Sequence, residues 1–194
     1  MPELIRRPFV FLRHGQSTSN LAQRIAGQRD VPLTAQGEHE ARQAATLLAA
    51  IDWPLIVSSP LARARRTAEL ATGRAPHCLV GGLKERDWGT YEERPIPETM
   101  PYLLAPDGGE RWDDFVTRIV ATLNALLLEH ETPLVVGHSG LIRVIRYLDT
   151  GTPEGPRTDN AIPQWVTPRG VRSWEIRPLQ EEDVAHLPRV TASS

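Results

Sequence analysis

The sequence predicts an α/β fold of three layers, in which helices cover both faces of a mostly parallel central sheet. Longer segments with helical spacing separate short apolar runs typical of buried strands, and this alternation favours parallel strands joined by crossover helices. At 194 residues, with 40% apolar and 24% charged residues, the chain suits a single domain over residues 1–194. The four strand-like runs are Phe9–Leu12, Pro54–Ser59, His77–Val80 and Pro133–Gly137.

The first long helix is predicted to begin after Thr34, because a threonine hydroxyl is a favoured N-cap. The segment that follows places apolar side chains on one stripe, as a helix packed on a sheet requires. That stripe comprises Ala41, Ala44, Ala45, Leu48 and Ile51.

Three further helices follow the later strands. One opens at Pro60, since proline is favoured in a first helical turn. Another occupies 110–130 and carries apolar residues at helical spacing, and the last occupies 140–148. The apolar positions of the helix over 110–130 are Phe115, Ile119, Leu123 and Leu126.

The C-terminal part of the sequence predicts a β-hairpin at the edge of the sheet. Residues 160–166 and 171–179 have strand character and flank the turn-forming sequence of residues 167–170. The tail, residues 188–194, is expected to be frayed.

The composition argues against several classes of protein. A net charge of −2 and a pI near 6.3 give no reason to expect nucleic-acid or membrane partners. Cys78 is the sole cysteine, so an internal disulfide is excluded and a Cys-type zinc site is disfavoured. The apolar run after Arg7 is too short for a signal peptide, and no run approaches the ~20 residues of a membrane span. A cytoplasmic protein is therefore expected.

Ionisable residues concentrate where three of the predicted strands end. Arg13-His14-Gly15 follows the first strand, Arg63 lies just after the second, and Gly137-His138-Ser139-Gly140 closes the fourth. Ligands of α/β sheets bind beyond the carboxyl ends of the strands, and helix N-termini there attract anions. Glycines beside both histidines allow close approach of the backbone. Because arginine donates bidentate hydrogen bonds to phosphate oxygens, the pattern predicts a phosphate pocket.

Four segments together resemble the histidine phosphatase superfamily, which has the phosphoglycerate mutase-like fold. They read RHGQSTSN, SSPLARARRTAE, LKERDWGTYEE and VVGHSGLIR, and they occur in the family's order. Supporting similarity in residues 32–41, 107–119, 160–163 and 184–187 extends the resemblance over nearly the whole chain. Within the family, the alpha-ribazole phosphatases and the broad-specificity phosphatases are both similar.

The resemblance implies a role for each of five residues. His14 resembles the nucleophile that becomes a phosphohistidine, which requires a neutral imidazole. Arg13, Arg63 and His138 correspond to the clamp on the phosphoryl oxygens. Glu85 matches the general acid that protonates the leaving alcohol and then deprotonates water.

The resemblance also implies weaker contacts to phosphate or substrate. Asn20 and Ser139 are candidates for polar contacts to phosphate, and four further residues form a second tier: Gly15, Gln16, Ser17 and Glu92. Trp88 and Tyr91 flank the Glu85 loop and are the aromatic residues most apt to line the pocket. This chemistry needs neither a metal nor a cofactor.

Some of these residues also have an ordinary structural interpretation. Either histidine could simply cap a turn, and Glu85 could be a solvated charge beside Lys84 and Arg86. The basic run Arg63-Arg65-Arg66 resembles a nucleic-acid patch, but on a helix its side chains diverge, so one functional and two solvated arginines are expected. The remaining histidines are expected on the surface or in ordinary packing: His39, His77, His130 and His186.

Residues 93–107 depart from the family pattern. Four prolines in this stretch argue against the helical cap that many relatives carry there, so a reduced, partly extended lid and a more open pocket are expected. A small phosphomonoester is the expected substrate, and hydrolysis is the leading reaction. Phosphoglycerate mutase-type transfer is the alternative, with a non-catalytic phosphate- or phosphopeptide-binding module third. The sequence carries no signal that fixes the number of subunits.

Overall fold

The computed structural model describes residues 2–171 and 173–187, and within them a six-stranded mixed sheet forms the centre of the protein. Its strands lie in the order β3-β2-β4-β1-β5-β6. Four run parallel to one another: β1 (Phe9–Arg13), β2 (Ile56–Ser58), β3 (Cys78–Leu79) and β4 (Leu134–Gly137). The antiparallel pair β5 (Gln164–Arg169) and β6 (Ser173–Pro178) forms the expected edge hairpin. The tail expected to fray, residues 188–194, lies outside the described residues.

The helices follow the predicted alternation with the strands. The longer ones are α2 (Ala35–Leu48), α3 (Ala62–Thr72), α4 (Trp112–Glu129) and α5 (Ser139–Thr150). Single turns form α1 (Thr18–Leu21) and α6 (Glu181–Val184), and 3-10 turns occupy Gly81–Leu83 and Gly89–Tyr91. No helix in the described part of the chain is long and apolar enough to cross a bilayer.

Alternate residues of β1 show why the fold has three layers. Phe9 and Phe11 pack in a cluster with residues of α4 and α5, whereas Val10 and Leu12 pack in a second cluster with residues of α2 and α3. All four side chains are fully buried. Successive side chains of a strand point to opposite faces of the sheet, so both faces of β1 are covered by helices. The predicted three-layer architecture is confirmed.

Three local expectations differ from the structure. The strand predicted over His77–Val80 is exposed at Cys78 and Leu79, because β3 is an edge strand that pairs with β2 alone. Helix α3 begins at Ala62 with Leu61 as its N-cap, so Pro60 precedes the helix. Ile51 is buried, as expected of the stripe, but it lies beyond the end of α2.

The lid, residues 93–107, contains neither a helix nor a strand, as its prolines predict. Its first residues run alongside residues 23–25: the amide of Ile25 donates to the carbonyl of Arg94, and the amide of Ile96 donates to the carbonyl of Gln23. Farther along, Tyr102 is buried. The lid is short, yet it supplies one wall of the pocket described below.

Candidate active site

The register of the two central strands brings the two predicted site histidines together. Arg13 of β1 pairs with Gly137 of β4, and the amide of His14 donates to the carbonyl of Gly137 over 3.0 Å. His14 and His138 therefore leave adjacent strands at the same level. Their ring centroids lie 5.2 Å apart, and both side chains are buried.

Hydrogen bonds to its ring select one tautomer of His14. Its Nδ1 lies 2.7 Å from the carbonyl oxygen of Gly15. A carbonyl can only accept, so Nδ1 carries the proton and Nε2 keeps a lone pair. Nε2 accepts a hydrogen bond from Nε of Arg63 over 3.3 Å. The nitrogen available as a nucleophile is therefore Nε2, at the floor of the pocket that His14 lines.

Burial holds both histidines neutral. It lowers the pKa of His14 well below its usual value, and the positive charges of Arg63 and Arg13 lower it further. The pKa of His138 is also well below its usual value, because of burial first and of Arg63 next. A neutral imidazole is what a histidine nucleophile requires.

Two buried arginines flank His14 and are anchored by backbone carbonyls. Arg63 donates through Nη1 to the carbonyl of Arg29 and through Nη2 to that of Gly27, each over 2.7 Å. Arg13 donates through Nη1 to the carbonyl of Thr158 over 2.6 Å, while its buried Nε has no partner among the described residues. Burial and the neighbouring charge of Arg157 lower the pKa of Arg13 to about 10. Both guanidinium groups line the pocket and are fixed in place before an anion arrives.

Glu85 lies at the N-terminus of α5, in the wall of the same pocket. Its Oε2 accepts from the amide of Gly140 over 3.1 Å and from the hydroxyl of Ser139 over 3.4 Å. Its Oε1 accepts from the amide of Arg86 over 2.9 Å. A Cβ at position 140 would overlap the Glu85 carboxylate, so the approach requires glycine there. The predicted general acid and His14 thus line the same pocket.

The other predicted contacts divide between the pocket and its supports. Asn20 and Ser139 line the pocket. Ser17 caps α1 by accepting from the amide of Asn20, whose Oδ1 in turn accepts from the amide of Ser17. Gln16 contacts the hydroxyl of Thr34 at the start of α2. Gln16 and Ser17 are not among the pocket-lining residues.

Three residues near the site have supporting positions. The backbone of Gly15 packs closely against that of Gly37 in α2, and a Cβ at position 15 would overlap the Gly37 backbone. Glycine at position 15 therefore permits contact with α2. Oε1 of Glu92 accepts from the amide of Gln28 over 2.7 Å. This bond connects the end of the 3-10 turn Gly89–Tyr91 with the segment around Gln28. Nε2 of His138 forms a hydrogen bond with the hydroxyl of Ser59 over 2.8 Å, and His138 is not among the pocket-lining residues. Neither Gly15 nor Glu92 lines the pocket.

The structure adds pocket residues that the sequence did not single out. Arginines from three separate segments line it, namely Arg24, Arg143 and Arg157, and so do Ile96, Met100 and Tyr102 of the lid. Trp88 lines the pocket as expected, whereas Tyr91 packs against the edge of Trp88. Asn160 supports the site by donating to the carbonyl of His14 over 2.8 Å. The similarity of residues 160–163 to the family was the sequence signal for Asn160.

Arginines carry most of the charge that lines the pocket. Across residues 2–171 and 173–187, no three histidine, cysteine, aspartate or glutamate side chains are grouped so that they could hold an ion. The positive charge of the site comes from guanidinium groups.

The structure places two histidines and an arginine at the ends of β1 and β4, as the sequence resemblance implies. Comparison with known proteins decides the family. The model of the histidine phosphatase superfamily (branch 1) matches residues 9–164. The chain belongs to the histidine phosphatase superfamily. An uncharacterized phosphatase, PhoE, of Bacillus subtilis is 32% identical over 151 residues, which cover 74% of this chain and 78% of PhoE. A probable phosphoglycerate mutase, GpmB, of Proteus mirabilis is 37% identical over 66% of this chain and 67% of its own length.

Solved structures of this superfamily share the fold. A putative alpha-ribazole-5'-P phosphatase from Escherichia coli superposes with a TM-score of 0.74 at 24% identity, over 90% of this chain and 96% of that one. A mycobacterial glucosyl-3-phosphoglycerate phosphatase in complex with VO3 gives a TM-score of 0.73 at 28% identity, over 89% of this chain and 98% of that one. The mostly parallel sheet with helices on both faces is thus the phosphoglycerate mutase-like fold.

Proposed function

We propose that this protein hydrolyses small phosphomonoesters without a metal, through a phosphohistidine on Nε2 of His14. The observation that carries the proposal is the unprotonated Nε2, which accepts from Arg63 in the pocket that Arg13 also lines. Nε2 attacks phosphorus while the bond from phosphorus to the ester oxygen breaks. The N–H of Arg63 that now donates to Nε2 is then free to donate to a phosphoryl oxygen.

Glu85 supplies the proton transfers of the two steps. In its acid form it gives a proton to the departing ester oxygen, so that a neutral alcohol leaves. As a carboxylate it then takes a proton from the water that attacks the phosphohistidine, which releases inorganic phosphate and restores His14. The contacts of Glu85 with Ser139 and Gly140 support this role because they fix the carboxyl group at the pocket wall.

Phosphoglycerate mutase-type transfer is the second candidate, favoured by the relatives named as mutases. A mutase must keep water from the phosphohistidine until a second hydroxyl accepts the phosphoryl group. Here the lid over residues 93–107 has no helix, which supports hydrolysis as the leading reaction.

The first test is phosphate release in the presence of EDTA from p-nitrophenyl phosphate, sugar phosphates, nucleoside monophosphates, 3-phosphoglycerate and a phosphopeptide. We expect release by the wild type and none above the buffer blank by His14→Ala. Arg63→Ala should lower kcat/KM by about 10²-fold or more, because it removes a donor to the developing charge. The matched control is Arg65→Gln, which removes an exposed arginine from the same helix.

Three other outcomes would change the assignment. Near wild-type release by His14→Ala would overturn the phosphohistidine mechanism. Interconversion of 2- and 3-phosphoglycerate without net release would assign a mutase. Binding of phosphate esters without either reaction would assign a non-catalytic binding module.

A further inference from the structure

The pocket carries more positive charge than one phosphate group needs. Six arginines line it, and Glu85 is the one carboxylate among the lining residues that the structure describes. A phosphomonoester brings about two negative charges. The arginines are Arg13, Arg24, Arg63, Arg86, Arg143 and Arg157.

Two of these arginines have a role in the proposed reaction, and two others donate to backbone carbonyls of the lid. Arg13 and Arg63 flank the nucleophile. Arg86 is 1% exposed and is bound by backbone carbonyls, and Nη1 of Arg24 donates to the carbonyl of Glu93 over 2.6 Å. Arg143 and Arg157 remain.

Arg143 is a buried cation without a carboxylate partner. It is 7% exposed, and in the described part of the chain it makes no ion pair. Its Nη1 donates to the carbonyl of Pro153 over 2.7 Å, and its buried Nε finds no partner among the same residues. The guanidinium carbon lies 4.5 Å from the ring centroid of Tyr102, which fixes the plane of the group. Burying a guanidinium is costly unless an anion compensates it, so this position favours an anionic ligand.

Arg157 connects this region with the catalytic end of the pocket. It lines the same pocket as Arg13, Arg143 and Tyr102. It is exposed and makes no ion pair with the described residues. Two aromatic rings line the pocket as well, those of Tyr102 and Trp112, whose centroids lie 6.1 Å apart. Nε1 of Trp112 is a buried donor that no described group accepts from.

We propose that Arg143 and Arg157 form a subsite for a second anionic group on the leaving alcohol, either a carboxylate or another phosphate. The carbon skeleton between the two anions packs against Tyr102 and Trp112. This inference rests on the proposed phosphomonoesterase function and names the substrate class: esters whose alcohol is itself an acid. Guanidinium groups suit both anions because they donate paired hydrogen bonds to either.

Matched substrate pairs test the subsite. 3-Phosphoglycerate and glycerol 3-phosphate differ by a carboxylate in place of a hydroxymethyl group, and propane-1,3-diol bisphosphate differs from its monophosphate by a second phosphate. We expect the wild type to prefer the acidic member of at least one pair in kcat/KM by about tenfold or more, as one charged hydrogen bond provides. Which pair shows the preference identifies the anion.

The variants Arg157→Gln and Arg143→Gln should lower the acidic-to-neutral ratio of kcat/KM by about tenfold, whereas Arg65→Gln should leave that ratio unchanged. Because Arg143 is buried, Arg157→Gln provides the test should Arg143→Gln fail to fold. A wild type without preference in either pair would overturn the proposal, as would equal losses for both members of a pair.

A binding measurement separates this proposal from the function on which it rests. Calorimetric titration of His14→Ala, with and without Arg157→Gln, compares affinity for the two members of each pair in the absence of turnover. A preference for the acidic member that depends on Arg157 supports the subsite even if no ester is hydrolysed. His14-dependent hydrolysis together with equal affinities would leave the phosphatase standing and reject the subsite.

Discussion

At the scale of single residues, the proposed role of Glu85 as general acid can be tested by comparing two substrates. Its carboxyl group accepts from the amides of Arg86 and Gly140 and from the hydroxyl of Ser139. These donors fix the carboxyl group in the pocket that His14 also lines. In the proposed reaction Glu85 supplies the proton that the leaving alcohol needs. An alkoxide needs that proton to leave, whereas p-nitrophenolate leaves readily without it.

We expect Glu85→Gln to lower kcat/KM for an alkyl phosphate by about 10²-fold or more and for p-nitrophenyl phosphate by less than about tenfold. The parameter kcat/KM reports the steps up to alcohol release, so slow hydrolysis of the phosphohistidine does not obscure the comparison. A burst of p-nitrophenol should precede the slow steady state. Equal losses for both esters would remove Glu85 from the acid role. Glu93→Gln, which neutralises an exposed carboxylate of the lid, is the control.

Residue-level prediction from sequence succeeded where a residue's neighbours in the chain identify it. Arg13, His14, Arg63 and Glu85 were named from contiguous motifs, and the structure brings all four to one pocket. Arg143 ends the motif VVGHSGLIR but was given no role there, and Arg157 lies outside the four motifs. Their significance depends on burial and on distance to other segments, which are properties of the folded chain.

At the scale of elements, Arg86 connects the lid with the loop that carries Glu85. Its guanidinium donates to the carbonyls of Tyr102 and Leu104 in the lid and to that of Glu110 before α4. It also lies over the ring of Trp88, 4.5 Å from the centroid. Since Arg86 follows Glu85 directly, the same residue positions the lid and the backbone of the proposed acid.

We expect Arg86→Met to loosen the lid, because three carbonyls lose their common donor and each unsatisfied buried acceptor costs about 1–3 kcal/mol. Arg86→Lys should rescue poorly, since a single ammonium cannot span three carbonyls. Limited digestion with chymotrypsin should show faster cleavage near Tyr102 and Leu104 in both variants. The same cleavage rate in Arg86→Met as in the wild type would contradict the anchor. Arg111→Gln, an exposed arginine nearby, is the control.

Prediction of the elements from sequence was good where the pattern is local. Helix α2 begins after the Thr34 cap as expected, and the C-terminal hairpin lies where strand-like segments flank a turn. The sequence did not show that β3 is exposed, since an edge position depends on which strand lies beside it. Nor could it show that the short lid lines the pocket, since Arg86 and Tyr102 meet only after folding.

At the scale of the whole molecule, the two histidines of the site are buried at the ends of central strands of the sheet. His14 and His138 end the two central strands and are held neutral by burial and by neighbouring arginines. The proposed nucleophile therefore lies at the centre of the fold. That placement couples the protonation of the site to the free energy of unfolding.

This coupling predicts that the protein loses stability in mild acid. Both histidines have a pKa below 6.5 when folded and near 6.5 when unfolded. Below that pH the unfolded chain binds more protons, so the stabilisation is complete above pH 6.5 and decreases as the pH falls. For two histidines the free energy of unfolding should fall by up to about 2.7 kcal/mol per pH unit. Urea unfolding at pH 7.5 and 5.5 measures this decrease in the free energy of unfolding. His138→Gln should show about half the decrease. His39→Gln, at an exposed position, is the control for removing an imidazole. An unfolding free energy that stays constant over this interval would show that the two rings can be protonated in the folded protein.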